Sequence, residues 1–357
     1  MRSRSSAALP AALLLLVGSC DLPTSAPAWE GTWEISAHSA TLHPEDFLPE
    51  GITVAEGGTV FEMRQLGGRA ELALEEFCVD CRDLDGEVAA KPAFSALHNF
   101  GVDFPQRVRQ ASVVGGTASV TIRNHLPFDP IRPGNDTVGA LDVAIVEAHG
   151  SFDTVAALRL DGSEAALPPG RIVTEPMELQ EGVIHPSLRA LLELDSPEGD
   201  SVLVERRDGL TVEVGIQELQ MDRVGLRPGR DRYRMAPFAV ATTDLDEDLR
   251  RRVARGRLRL EVSNPFETSL NLSIRVRPPH GEGNAEVAET FQLEPGETGG
   301  VVQLPGSPLR SMLEADAIVV EGDVSVPSQN DDLVVTPDRS LGIEAILVVE
   351  VGFGEGR

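Results

Sequence analysis

Apolar residues recur at every second position in short runs broken by Gly and Pro, and this period of two is what most restricts the fold. Leu258, Leu260 and Val262 alternate, as do Leu270, Leu272, Ile274 and Val276. In a strand, successive side chains point to opposite faces, so each run describes a strand with one buried face. Ile343 to Val351 is more continuously apolar, as expected of a strand covered on both sides. Val202 and Val204, then Leu210, Val212, Val214 and Ile216, flank Asp208-Gly209, which predicts a hairpin turning at that glycine. Gly115-Gly116, between Val113-Val114 and Val120, Ile122, predicts a second hairpin. With 34 glycines and 25 prolines punctuating the runs, the texture is that of a β-sandwich. The fold class expected is all-β: tandem β-sandwich domains with a few short helices.

Two segments break the period. Thr243-Asp244-Leu245-Asp246 fits a capping box, followed by a Leu245, Leu249, Val253 stripe and ended by Gly256. Asp246–Arg250, Glu247–Arg251 and Asp248–Arg252 are ordered i,i+4 pairs, so a helix or helical turn is expected there. Ser307-Pro308 opening Leu309-Arg310-Ser311-Met312-Leu313 predicts a short helix with Ser at the cap and Pro at its first position.

The chain also repeats itself. Val120 to Asn124, with Pro127-Phe128 after it, matches Leu260 to Asn264 followed by Pro265-Phe266, although His125-Leu126 separates Asn124 from Pro127. Leu167-Pro168-Pro169-Gly170 matches Leu293-Glu294-Pro295-Gly296, Leu188 to Leu192 matches Leu309 to Leu313, and Val204-Glu205 matches Val320-Glu321. The matches are collinear, as in a duplicated domain whose second copy has shorter connections. The organisation expected is a signal at 1–19, a tether at 20–28, and an N-terminal β-rich region at 29–105. Copy one follows at 106–225, a linker at 226–249 and copy two at 250–357. A strand ending in Asn264-Pro265-Phe266, a second strand, the Leu293 to Gly296 turn and a short helix is similar to late-embryogenesis-abundant type 2 domains, also called water-stress and hypersensitive-response domains. That resemblance covers about 100 residues of copy two and implies a non-enzymatic β-sandwich, with an apolar groove or a stress-protective role.

The N-terminus carries an address. Arg2 and Arg4 precede an apolar stretch from Ala7 to Val17, and the small residues Gly18 and Ser19 lead to Cys20. Roughly twenty apolar residues are needed to span a bilayer core, so this stretch is too short to be a permanent transmembrane helix. Val17-Gly18-Ser19-Cys20 resembles the lipobox of bacterial lipoproteins, which implies lipidation of Cys20 and cleavage before it. Asp21 to Ala28, with two prolines, then reads as an extended tether. The expected location is the bacterial cell envelope, lipid-anchored on the periplasmic or surface side. Asp21 directly after the cysteine favours inner-membrane retention in some Gram-negative bacteria, but the rule varies between lineages, so the choice of membrane stays open.

A 19-residue signal removed from 357 residues leaves 338, enough for two or three domains. Losing Arg2 and Arg4 with it takes the formal net charge from −26 to −28, since 1–19 holds no acids. Such a surface repels nucleic acid, which proteins bind through Lys and Arg, and anionic headgroups. Cationic partners remain open. Lys91 is the only lysine beside thirty arginines, which reads as codon bias. Aromatics are 4% of residues, with Tyr233 the single tyrosine, which argues against carbohydrate-binding or antibody-like surfaces.

Cys78 and Cys81 form a Cys-Val-Asp-Cys motif. A zinc site would need two more ligands, and no Cys or His pair lies near. A thioredoxin-like pair should open a helix in a βαβ unit. The favoured reading is a structural disulfide closing a tight loop in an oxidising compartment.

No Gly-x-Ser-x-Gly elbow, Gly-Lys-Ser/Thr phosphate loop or His-Glu-x-x-His motif is present. Gly352-x-Gly354 closes a strand with no helix to follow, which rules out a dinucleotide site. The seven histidines are isolated, and acid clusters around Asp80–Glu87, Asp244–Asp248 and Asp331-Asp332 lack the full twelve-residue calcium pattern. No cofactor, metal or catalytic residue is expected. Three function classes follow, in order: a non-catalytic envelope lipoprotein whose β-domains bind another envelope component, a carrier or sensor of a lipid or other apolar ligand, and a hydrolase with an unrecognised carboxylate pair.

Overall fold

The computed structural model describes residues 29–64, 66–134, 137–148, 153–227, 232–243, 245–279, 286–315, 317–327 and 332–353. The segments expected as signal and tether, with Cys20, lie outside the described residues. Sixteen principal strands build the body. They are β1 (Trp29–Leu42), β2 (Leu66–Ala73), β3 (Phe94–Val102), β4 (Val108–Asn124), β5 (Ala140–Glu147), β6 (Thr154–Asp161), β7 (Ile172–Glu178), β8 (Leu188–Ser196) and β9 (Gly209–Leu226). After them come β10 (Phe238–Ala241), β11 (Val253–Asn264), β12 (Leu270–Arg277), β13 (Val287–Leu293), β14 (Gly296–Leu304), β15 (Ala317–Ser325) and β16 (Leu341–Phe353). Short helices intervene: α1 (Pro44–Phe47), α2 (Leu74–Phe77), α3 (Val79–Arg82), α4 (Glu247–Arg252) and α5 (Gly306–Leu313). The fold is all-β and sandwich-like, with a few short helices.

Two sandwiches share one topology. In the first, the antiparallel sheet β2-β9-β4-β7 packs with β3-β8-β5-β6. In the second, β1-β16-β11-β14 packs with β10-β15-β12-β13. Strand for strand, β2 corresponds to β1, β3 to β10, β4 to β11, and so on to β9 and β16. Alternate residues of each sheet enter the core: Leu258, Leu260 and Val262 from β11, Leu270 to Val276 from β12, and Val120, Ile122, Val212 and Val214 in the first copy are all buried.

This pairing rearranges the expected boundaries. Residues 29–105 are not a unit of their own, because β1 pairs with β16 at the far end of the chain, Trp29 opposite Phe353 and Leu42 opposite Leu341, whereas β2 and β3 complete the first sandwich. Sandwich two is therefore discontinuous, and sandwich one is inserted between its first and second strands. The residues expected as a linker at 226–249 carry β10, the edge strand that pairs with β15.

Neither expected hairpin forms. Ser201–Leu203 pairs with Val88–Ala90, and β9 starts at Gly209 against β2 and β4. Gly209 is needed for close approach and not for a turn: a Cβ there would lie 1.9 Å from the Leu72 carbonyl oxygen. Gly115-Gly116 lies inside the single long strand β4, where Gly116 takes φ +144 as the register with β9 shifts. The bend lets the far halves of β4 and β9 leave sandwich one. Leu219–Met221 of β9 pairs with Phe61–Met63, and Val224–Leu226 with Leu333–Val335 of sandwich two. At this junction Phe47 of α1 packs at a tilt against Tyr233 and edge-to-face against Phe266, with ring centroids 4.8 and 5.1 Å apart. Arg107 donates to the Tyr233 hydroxyl at 2.9 Å, and Arg109 pairs with Asp332 at 2.9 Å. One continuous apolar core runs through both sandwiches.

The helices are shorter than their sequence signals. Asp246 caps α4 by accepting from the Leu249 amide at 2.8 Å, Glu247 pairs with Arg251, and the chain turns to strand at Val253, so Gly256 lies within β11. Asp244, part of the expected capping box, lies outside the described residues. Arg250 donates to the Leu245 and Thr242 carbonyls instead of reaching Asp246. In α5 the helix begins at Gly306, one residue before the expected cap, and buries Leu309, Met312 and Leu313. Among the described residues no helix is long and apolar enough to cross a membrane.

Candidate functional site

The repeated asparagines are structural. Asn124 and Asn264 are buried where β4 and β11 end. Asn124 donates to the Phe128 and Leu167 carbonyls at 2.9 and 2.5 Å and accepts from the Leu126 amide at 2.8 Å. Asn264 donates to Thr268, Leu293 and Glu294 carbonyls at 3.1, 3.3 and 3.3 Å and accepts from the Phe266 amide at 3.1 Å. The equivalent of Phe266 is thus Leu126, two residues after its asparagine, and at this turn no insertion separates the copies. The Pro-Gly turns are equivalent too, with Gly170 at φ +77 and Gly296 at φ +98. The other two matches fail: Leu188–Leu192 is strand β8, while Leu309–Leu313 belongs to helix α5. Val204 follows a short strand, and Val320 is mid-strand in β15.

Cys78 and Cys81 are joined by a disulfide, with Cα atoms 5.3 Å apart and both sulfurs buried. Cys78 caps α3, its Sγ accepting from the Cys81 amide at 3.2 Å. Closing so short a loop contributes about 2 kcal/mol on the chain-entropy model. Beside it, between β2, β3 and the inner face of β8, a pocket of about 300 Å³ has a mixed lining: Leu72, Phe77, Val79, Leu97, Leu192 and Leu194 together with Glu76, Ser95 and His98. Val79 and Leu97 expose their apolar side chains at its rim.

Lys91 is fully buried, which composition did not signal. Its Nζ donates to the Pro197 carbonyl and lies 4.5 Å from the Phe94 ring centre and 5.5 Å from that of Phe128. Burial pushes its pKa from 10.5 down to about 8, against the pull of Asp195 and Glu198. Among the described residues the two buried acids lie in different sandwiches: Glu147 accepts from the His185 amide at 2.6 Å, and Asp323 pairs with Arg275 at 3.2 Å. Among the described residues no group of three or more His, Cys, Asp or Glu is placed to hold a metal. Asp85 accepts from the Arg206 amide, and Asp332 from Arg109. Asp331, His149 and His280 lie outside the described residues.

Open grooves occupy matching places on the outer faces of the two sandwiches. In sandwich two, a groove of about 460 Å³ crosses all four strands of β1-β16-β11-β14. Its floor is two outward rows, Ser39–Glu344–Glu261–Gly299 and Thr41–Gly342–Ser263–Glu297. In sandwich one the corresponding rows are Arg69–Glu213–Thr121–Thr174 and Glu71–Thr211–Arg123–Ile172, over grooves of about 450 and 590 Å³. There Arg69 pairs with Glu213 at 3.0 Å and with Glu71 at 2.5 Å. The sequence held this signal only once the rows were aligned by pairing.

No protein-family model and no curated protein matches the chain. Among solved structures, a protein of Parabacteroides distasonis ATCC 8503 described as secreted is similar at 11% identity, covering 92% of this chain and 100% of its own, with a TM-score of 0.36. The CBM22-1–CBM22-2 tandem domain of Xyn10C from Paenibacillus barcinonensis matches at 8% identity over 79% of this chain and 98% of its own, with a TM-score of 0.17. N-glycanase F matches at 8% identity over 81% and 99%, with a TM-score of 0.18. None of these likenesses bears on function.

Proposed function

We propose that the chain is a non-catalytic lipoprotein of the bacterial cell envelope, held to a membrane by Cys20, whose β-sandwiches bind another envelope component. The observation that carries the binding role is the presence of open sheet-face grooves at matched positions on two sandwiches that share one core. Open grooves over filled cores suit contact with a macromolecule better than enclosure of a small substrate. The likeness of the Asn264 turn to late-embryogenesis-abundant type 2 domains points the same way, toward a non-enzymatic sandwich. The anchor rests on the Val17 to Cys20 motif, and two or three acyl chains would hold the body firmly where one gives only marginal binding.

The second reading, a carrier of a lipid or other apolar ligand, would place its ligand in the pocket beside Cys78–Cys81, where Leu72, Leu97, Leu192 and Leu194 share the wall with Glu76 and His98. The hydrolase reading calls for two buried acids in one cleft, and Glu147 and Asp323, engaged in separate sandwiches, do not supply them. The test is Cys20→Ala together with an organic extract of the purified body. The expected result is release from membranes, loss of acyl labelling and a clean extract. Unchanged membrane attachment and labelling would overturn the anchor, and a stoichiometric lipid in the extract would put the carrier reading first.

A further inference from the structure

We infer that the outer face of the β1-β16-β11-β14 sheet docks a basic, extended segment of a partner polypeptide; this rests on the binding reading above and names the chemistry of its partner. Glu261 and Glu344 stand directly opposite one another on neighbouring strands. Like charges so placed destabilise a sheet. Arg259 offsets them in part, lying 3.6 Å from Glu261 and 3.3 Å from Glu34. Glu344 and Glu297 make no ion pair among the described residues.

Sandwich one supplies the control, because its fold places different side chains at the same positions. Glu213 there is the counterpart of Glu344, and Arg69 neutralises it from the strand where sandwich two has Ser39. Thr121 stands where sandwich two has Glu261, and it shares a hydrogen bond of 3.0 Å with Thr174. In these rows sandwich one thus sets Arg69 and Arg123 against Glu71 and Glu213, whereas sandwich two has Glu261, Glu297 and Glu344 and no base.

The floor between those carboxylates is Gly299, Gly342, Ser39 and Ser263, small enough for a main chain to lie close. The two rows are two residues apart along each strand, roughly 6.6–7 Å. An extended peptide laid along the strands repeats its same-side residues at that interval, so alternate Lys or Arg side chains would meet Glu344–Glu261 and then Glu297. A strongly acidic body adds long-range attraction for such a segment.

The experiment is a fluorescence-anisotropy titration of the full chain in detergent with a labelled peptide of four Lys-Ala repeats. Glu261→Gln/Glu297→Gln/Glu344→Gln is compared with a charge-matched control, Glu178→Gln/Glu181→Gln/Glu193→Gln, on exposed acids of sandwich one. The groove variant should weaken binding about tenfold and the control less than about twofold. Ser39→Arg, which copies the neutralisation seen in sandwich one, should weaken binding as well. Equal weakening in groove and control variants would reduce the effect to general charge attraction and overturn the docking face, as would unchanged binding in Ser39→Arg. Photo-crosslinking from β14 and from sandwich one in intact envelopes separates the two levels. A partner captured only from sandwich one sinks this face and keeps the binding role; no partner from either removes both.

Discussion

Lys91 was invisible to composition, which read a lone lysine as codon usage; burial between Phe94, Phe128 and the Pro197 carbonyl is a property of packing that no count reveals. Its titration gives a signed prediction. Below pH 8 both folded and unfolded chains carry the ammonium, and the folded state bears the full desolvation penalty. Between about pH 8 and 10.5 the folded chain releases the proton while the unfolded chain keeps it, so the unfolded state binds more protons and stability rises with pH. Measured against Lys91→Met in urea titrations, the wild type should gain up to about 3 kcal/mol across that window. A difference that stays flat from pH 7.5 to 10.5 would show that the site does not hold a depressed ammonium. Glu344 and Glu261 were equally illegible beforehand, because their meaning depends on which strand lies beside which.

Individual strands were readable, since the period of two places Leu258 to Val262 and Leu270 to Val276 in the core without any tertiary knowledge. Turns were readable only in part. Glycine has several uses, and at Gly209 the use was close approach to Leu72, so a turn signal marked the start of a strand. The asparagine repeat was the reliable one, because Asn124 and Asn264 each hold the turn that follows their strand by the same set of bonds. Replacing either asparagine with alanine leaves buried carbonyls without donors and should cost about 2–3 kcal/mol. Aspartate should cost more, since it presents a charge to the carbonyls that Nδ2 now serves. Chemical denaturation of Asn264→Ala and Asn264→Asp checks this; an aspartate variant as stable as wild type would mean that the amide donor is dispensable.

For the whole molecule, the repeated sequence marked the two asparagine turns but not the order of assembly, because nothing local in β1 says that its partner is the last strand. The insertion is testable. Phe47 and Tyr233 touch, so the chain enters and leaves sandwich one at neighbouring points. A chain with residues 49–232 replaced by a short Gly-Ser linker should keep sandwich two folded, with a cooperative thermal transition by circular dichroism. Removing residues 29–42 instead should abolish that transition. Loss of cooperativity in the linker chain would mean that the two sandwiches fold only as one unit.

The pairing of Trp29 with Phe353 also sets a timetable. Chain order puts β1 first and its sheet partner β16 last among the strands, and a chain exported as proposed above emerges into the envelope in that same order. Sandwich one can close as soon as β9 is made. Its host must hold an open seam until the final strand arrives, leaving Ile35 and Leu42 of β1 without their cover. A sandwich nested in this way depends on something to shield them in the interval, and the interval lengthens with every residue added to the insert.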